Sequence, residues 1–168
     1  MREILFRGKA INRDGGSLRT NYKNGDWVYG LLTRPFNERY GLYAEMRNEG
    51  GIDGIEVDHE TISQWTGLID KNGIKVFEGD IVSKEYWDKP HSRKAKSKYL
   101  NGVVKYHIGE GDGFGGGNEY KCWAAEWDVD VIDKENEYKY GCCSWGKFFD
   151  CEVIGNIYDN PELIGGDE

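Results

Sequence analysis

The amino-acid sequence predicts a mainly β protein with two small antiparallel, barrel-like parts, the second of them SH3-like, and one short helix. Composition favours this class. Glycine accounts for 24 of the 168 residues, about twice its usual share, and Trp, Tyr and Phe make up 14%. Glycine supplies turns and aromatic side chains suit strands, so a collagen-like, coiled-coil or wholly disordered chain is excluded. No apolar run of ~20 residues could cross a membrane.

Alternating apolar side chains predict the strands of the first part. Trp27, Tyr29 and Leu31 alternate after the turn Asn24-Gly25, and we expect Trp27 to anchor the core. The predicted strands cover residues 2–7, 26–32, 40–46 and 55–57, and a loop is predicted over 12–24.

A short helix is predicted over Asp58–Trp65. Asp58 can cap its N-terminus, Ile62 and Trp65 lie three residues apart, and Gly67 stands at a C-cap position. With about two turns it depends on tertiary packing.

A boundary near residue 68 separates an N-terminal β domain, residues 1–67, from an SH3-like β-barrel domain with long loop insertions, residues 68–168. The SH3-like prediction depends on Gly79-Asp80-Ile81-Val82 followed by Gly102-Val103-Val104, since small barrels often use these phrases. The turn Asp70–Gly73 predicts a hairpin. The predicted strands cover residues 67–69, 74–77, 81–86, 102–108, 120–131, 138–149 and 151–158.

Charge and cysteine content bound the cellular context. The net charge is −8, and residues 119–168 hold 4 basic and 13 acidic side chains. Such a chain repels nucleic acid at long range. The N-terminus lacks a signal-peptide pattern, so we expect the bacterial host cytosol, where thiols stay reduced. The cysteines expected to be free are Cys122, Cys142, Cys143 and Cys151.

Motifs for catalysis and for cofactors are weak. The cysteine spacings of 20, 1 and 8 do not fit a zinc site, so no metal or cofactor is expected. No nucleophile signature surrounds His59, His91 or His107. The acidic run Glu126, Asp128 and Asp130 is typical of a solvated strand face. Gly109–Gly117 lacks the lysine of a phosphate loop and is interpreted as a hairpin connection.

One basic segment, Lys84–Lys98, lies between aromatic residues and would suit single-stranded nucleic acid. A solvated insertion is the favoured interpretation, because a net charge of −8 repels nucleic acid, and the sequence predicts an exposed loop over Tyr86–Lys98. The candidate binding residues are Lys84, Tyr86, Trp87, Lys89, Arg93, Lys94, Lys96 and Lys98.

Six phrases spread along the chain resemble the YopX family of phage and prophage proteins. They cover residues 2–9, 25–30, 57–62, 64–73, 77–82 and 152–163. The resemblance implies a phage or prophage origin and a mostly β, two-part fold. It implies no established activity and no catalytic residue.

We therefore expect a phage or prophage accessory protein that is not an enzyme and acts by protein binding or self-association. Many aromatic residues and strand edges that invite pairing favour this hypothesis. The alternatives are a nucleic-acid-binding module that uses residues 84–98 and a small hydrolase with a dispersed site. An exposed apolar patch favours the first hypothesis, a basic groove the second and a deep cleft the third.

Overall fold

The computed structural model describes residues 3–11, 22–34, 43–47, 54–87, 96–110, 119–127 and 150–164. The mainly β class is confirmed, because antiparallel strands dominate these residues. The chain divides into two compact units, Met1–Gly67 and Leu68–Glu168. That each is an independently folding domain stays a prediction. In the described ranges no helix has the length and apolar character to cross a membrane.

The first unit is an antiparallel sheet with strand order β4-β3-β2-β1-β5. Its elements are β1 (Phe6–Lys9), β2 (Trp27–Arg34), β3 (Tyr43–Arg47), β4 (Ile55–Asp58), the 3-10 turn η1 (His59–Thr61) and most of β5 (Ser63–Ile69). After β1, Ala10 forms an isolated bridge to Val57, and the Ile11 N–H donates to the Glu56 carbonyl at 2.8 Å. The sheet therefore curls around its core, although the described strands form no closed barrel.

The core of the first unit lies on the face of β2 that carries Val28. Val28, Met46 and Val57 are fully buried and pack together. Gly8 permits this packing, because a Cβ at that position would lie 3.2 Å from the Val57 Cβ. The expectation that Trp27 anchors the core is wrong, since Trp27 points to the opposite face and is only half-buried.

The short helix is confirmed only as η1, and it ends at Thr61 rather than Trp65. The predicted cap is present, because the Asp58 carboxylate accepts from the Glu60 N–H at 3.0 Å. The chain then turns into β5, where the Trp65 N–H donates to the Leu5 carbonyl at 2.8 Å. Pairing with the first strand outweighs a helix of two turns, which is marginal by itself.

The second unit contains a four-stranded antiparallel sheet with strand order β10-β7-β8-β9. Its elements are the end of β5, β6 (Lys75–Phe77), β7 (Asp80–Trp87), β8 (Ser97–Glu110), β9 (Glu119–Trp127), β10 (Glu152–Asn156) and the 3-10 turn η2 (Pro161–Leu163). Its core comprises Val76, Val82, Val104, Ala125 and Cys151. The described strands do not close into a barrel, so the SH3-like detail stays a prediction. The strand predicted over 138–149 lies outside the described residues.

The predicted hairpin turn Asp70–Gly73 is confirmed and is fixed by a buried carboxylate. Asp70 is 2% exposed. Its Oδ1 accepts from the N–H groups of Asn72 and Ile74, each at 2.8 Å, and its Oδ2 accepts from the Val153 N–H at 3.0 Å. Burial opposes ionisation, but these three backbone hydrogen bonds outweigh it and lower the pKa of Asp70. One side chain thus ties the β5–β6 hairpin to β10.

Candidate interaction surface of the second unit

The β8 strand is longer than its neighbour β7, and this difference creates the candidate surface. The β7–β8 ladder runs from Trp87, opposite Ser97, to Ile81, opposite Val103. Beyond it, β8 continues to Glu110 with a ladder to β9 alone, as far as the described residues show. We call residues 105–110 with 119–124 the ribbon. A two-stranded antiparallel segment is at best marginally stable in water unless a further surface packs on it.

One face of the ribbon, which we call its apolar face, continues the core of the second unit through Tyr106, Ile108 and Trp123, with exposed Lys121 opposite Ile108. Tyr106 and Ile108 follow buried Val104 at intervals of two residues, so they lie on the same side of β8. They are 46% and 64% exposed. Tyr106 lies opposite Trp123, and the two rings pack edge to face with centroids 5.1 Å apart. Apolar side chains therefore extend from the core into solvent.

The other face of the ribbon carries Lys105 and His107, which lie opposite Ala124 and Cys122. The Lys105 ammonium donates to the Glu126 carboxylate, and the His107 Nε2 lies 3.7 Å from the Glu126 Oε1. Glu126 is exposed, as the solvated acidic run predicts, whereas Asp128 and Asp130 lie outside the described residues. Such exposed pairs contribute little to stability. Tyr106, Ile108 and Trp123 are therefore the ribbon side chains that gain most from being covered.

The predicted basic site is only partly described. Lys89, Arg93 and Lys94 lie outside the described residues, while Lys96 and Lys98 are exposed. Lys84 is half-buried, with its Nζ 3.9 Å from the Asp150 Oδ2. The binding role of this set stays a prediction.

The predicted loop over Tyr86–Lys98 is too long. Tyr86 and Trp87 belong to β7, where they lie opposite Lys98 and Ser97. The Ser97 hydroxyl donates to the Glu85 carboxylate, and this cross-strand contact helps the polar end of the hairpin to pair.

His107 lies directly opposite Cys122 in the β8–β9 ladder, whereas the other described histidine and cysteine, His59 and Cys151, lie in other parts of the chain. His59 lies beside Asp58, with 3.8 Å between its Nδ1 and the Asp58 Oδ1, and far along the sequence from His107. The free thiols described are Cys122 and Cys151. Burial raises the pKa of Cys122, and burial raises that of Cys151 to about 11. Within the described ranges no group of three or more His, Cys, Asp or Glu side chains could hold a metal. His91, Cys142 and Cys143 lie outside them.

Comparison with known proteins decides the family. The model of the YopX protein family matches residues 21–165. The chain belongs to the YopX family. A crystal structure of protein EF1440 from Enterococcus faecalis matches this YopX-family chain over 98% of its length and 100% of the EF1440 chain, at 20% identity and a TM-score of 0.40. At these values the likeness carries no argument about function. No curated protein matches the chain.

The prediction of a strand over residues 102–108 puts Val104, Tyr106 and Ile108 on one side of it by alternation, and the register confirms this. It did not predict that the last two lie on an exposed apolar surface. Their alternation is the same as that of a buried strand. Only the end of the β7–β8 ladder at Val103 distinguishes the exposed residues beyond it from the buried residues before it.

Proposed function

We propose that this YopX-family protein is a phage or prophage accessory protein that acts without catalysis, by binding another protein or a second copy of itself. The apolar face of the ribbon is the contact surface. The resemblance of the six sequence phrases to the family supports the phage or prophage origin that we propose.

The observation that supports binding is the exposure of Tyr106 and Ile108 on a two-stranded ribbon whose apolar side continues the core. Fully burying an exposed isoleucine contributes ~1.5–3 kcal/mol, so covering Ile108, already partly shielded at 64% exposure, would contribute ~1–2 kcal/mol. Tyr106 and Trp123 add ring surface beside it. A few such side chains within a larger contact are typical of the centre of a protein interface.

A substitution at Ile108 tests the contribution of this face. Sedimentation equilibrium over a range of concentrations measures self-association of the wild type and of Ile108→Ser. Affinity purification of tagged protein from phage-infected cells, with and without nuclease, measures binding of other proteins. Ile74→Ser is the matched control, because Ile74 is 49% exposed but lies in the β5–β6 hairpin.

We expect Ile108→Ser to reduce self-association, or recovery of a nuclease-resistant partner, by about tenfold while Ile74→Ser leaves both unchanged. Equal behaviour of the two variants would contradict the proposal. Recovery that disappears with nuclease would instead favour the alternative of nucleic-acid binding through residues 84–98.

A further inference from the structure

On the face of the ribbon opposite Tyr106 and Ile108, a thiol and an imidazole occupy directly facing positions. His107 pairs with Cys122 in the β8–β9 ladder. Side chains at directly opposite positions of an antiparallel pair have Cβ atoms about 4.5–5.5 Å apart. A cysteine side chain has a single rotor with staggered positions, so rotation about it brings the sulfur toward the facing ring without movement of the backbone.

Glu126 is placed to stabilise positive charge on this imidazole. The His107 Nε2 is shielded from solvent and lies 3.7 Å from the Glu126 Oε1, which is beyond hydrogen-bond distance but close enough for an ion pair. Ala124 stands between Cys122 and Glu126 on this face of β9, and its short side chain leaves room for the ring. The charged side chains described on this face of β8 and β9 are Glu126 and Lys105, and the Lys105 ammonium donates to the Glu126 Oε2.

The thiol of Cys122 is accessible to a small reagent but needs a base. Cys122 forms no disulfide, and both Cys122 and His107 are half-buried. Burial raises the pKa of Cys122, so the thiol keeps its proton at neutral pH and reacts slowly unless a base removes that proton. Imidazoles as a class change charge between about pH 5 and 8, which suits them to accept a proton at neutral pH. The reactivity of this thiol therefore depends on the side chain that faces it.

From this arrangement we infer that Cys122 is a site of reversible modification by small disulfides, with His107 as the proton acceptor. The thiol passes its proton to the imidazole as its sulfur attacks one sulfur of the disulfide. A new S–S bond forms, the bond between the two reagent sulfurs breaks, and the departing thiolate takes the proton back from the imidazolium. Cys122 is thereby oxidised to a mixed disulfide, and the other half of the reagent is reduced to a free thiol. Glu126 stabilises the transient imidazolium.

The other described thiol is a poor target for the same reagent. Cys151 is 1% exposed, and burial raises its pKa to about 11. Of the two described cysteines, Cys122 is therefore the one that combines access for a small reagent with a facing imidazole. The pair lies on the face of the ribbon opposite Ile108, so the inference does not depend on the proposed function.

Mass spectrometry of the full chain tests the inference, with bis-hydroxyethyl disulfide as an uncharged probe. Peptide mapping assigns the modified cysteine, and time courses at pH 6, 7 and 8 give its rate of modification. The variants are His107→Gln and Cys122→Ser, and His59→Gln is the matched control, because His59 is the other described histidine and lies in the first unit. Urea unfolding shows whether His107→Gln keeps the stability of the wild type. The wild type reacted in urea gives the rate of the same thiol without its folded surroundings.

We expect a mixed disulfide on Cys122 at pH 7 that forms faster in the folded than in the unfolded wild type. His107→Gln should slow it at least about tenfold, while His59→Gln stays within about twofold. From pH 6 to 8 the rate for His107→Gln should rise about tenfold per pH unit, as the thiolate fraction does, whereas the wild-type rate should level off once the imidazole is neutral. Ile108→Ser should react like the wild type, which separates this site from the proposed function. Modification only at other cysteines, an unchanged rate or pH dependence in His107→Gln, or slower reaction of the folded wild type would each overturn the inference.

Discussion

Removing the Asp70 carboxylate should destabilise the second unit more than an ordinary turn substitution. Three backbone N–H groups donate to it, at 2.8, 2.8 and 3.0 Å. Taking about 1 kcal/mol for each partly buried bond, Asp70→Ala should cost about 3 kcal/mol. In Asp70→Asn the amide oxygen keeps the bonds from Asn72 and Ile74, but its NH2 group meets the Val153 N–H, so about 1–2 kcal/mol is expected.

The pH dependence gives a second test. Because its folded-state pKa is lowered, Asp70 contributes stability that is fully present above its unfolded value of about 3.9 and is lost as pH falls through the folded-state pKa. Urea unfolding followed by tryptophan fluorescence should therefore show a penalty for Asp70→Asn at pH 7 that shrinks below about pH 4. Asp26→Asn is the control, because Asp26 accepts one exposed bond, from the Lys23 N–H at 2.8 Å. Equal costs at the two sites at pH 7, or a constant penalty for Asp70→Asn down to pH 3, would refute the reasoning.

Two further predictions concern packing and thiol chemistry. A Cβ at Gly102 would lie 2.7 Å from the Trp127 ring and 2.9 Å from the Glu126 carbonyl oxygen, so Gly102→Ala should cost about 1–3 kcal/mol in urea unfolding. A cost no larger than that of Lys105→Ala, at an exposed position, would show that β9 moves away freely. In a Cys142→Ser, Cys143→Ser background, a disulfide reagent at pH 8 should label Cys122 well before Cys151, because burial raises the pKa of Cys151 to about 11. Equal labelling rates in the folded protein would contradict the burial of Cys151.

Turns were predictable from the sequence because glycine and aspartate act locally. Gly25 and Gly73 have φ angles of 85° and 81°, as turns at Asn-Gly require, and Asp58 caps η1 as expected. The extent of β8 was not predictable in the same way. Its first residues are polar and do not alternate, and they become a strand through pairing with β7.

Which side of β2 is buried was also not predictable from the local sequence. Trp27 and Val28 point to opposite faces of β2 and both are apolar. The local sequence is therefore compatible with either face of the strand being buried in the core. The face that carries Val28 lies in the core, and Gly8, which is distant in sequence, contributes to this because it gives Val57 room to approach. For the candidate site, local alternation predicted which side chains share a face of β8, while their exposure follows from where a neighbouring strand ends.

Site-specific photo-crosslinking at Ile108 tests the central claim, that the apolar face of the ribbon binds protein. A photoreactive phenylalanine replaces Ile108 in one variant and Tyr99 in another, since Tyr99 is 67% exposed on the same strand but on the opposite face. We predict nuclease-resistant crosslinks to a protein, or to a second copy of the chain, from position 108 and not from position 99. No crosslink at position 108, or equal yields at both positions in infected cells and at high protein concentration, would contradict the claim.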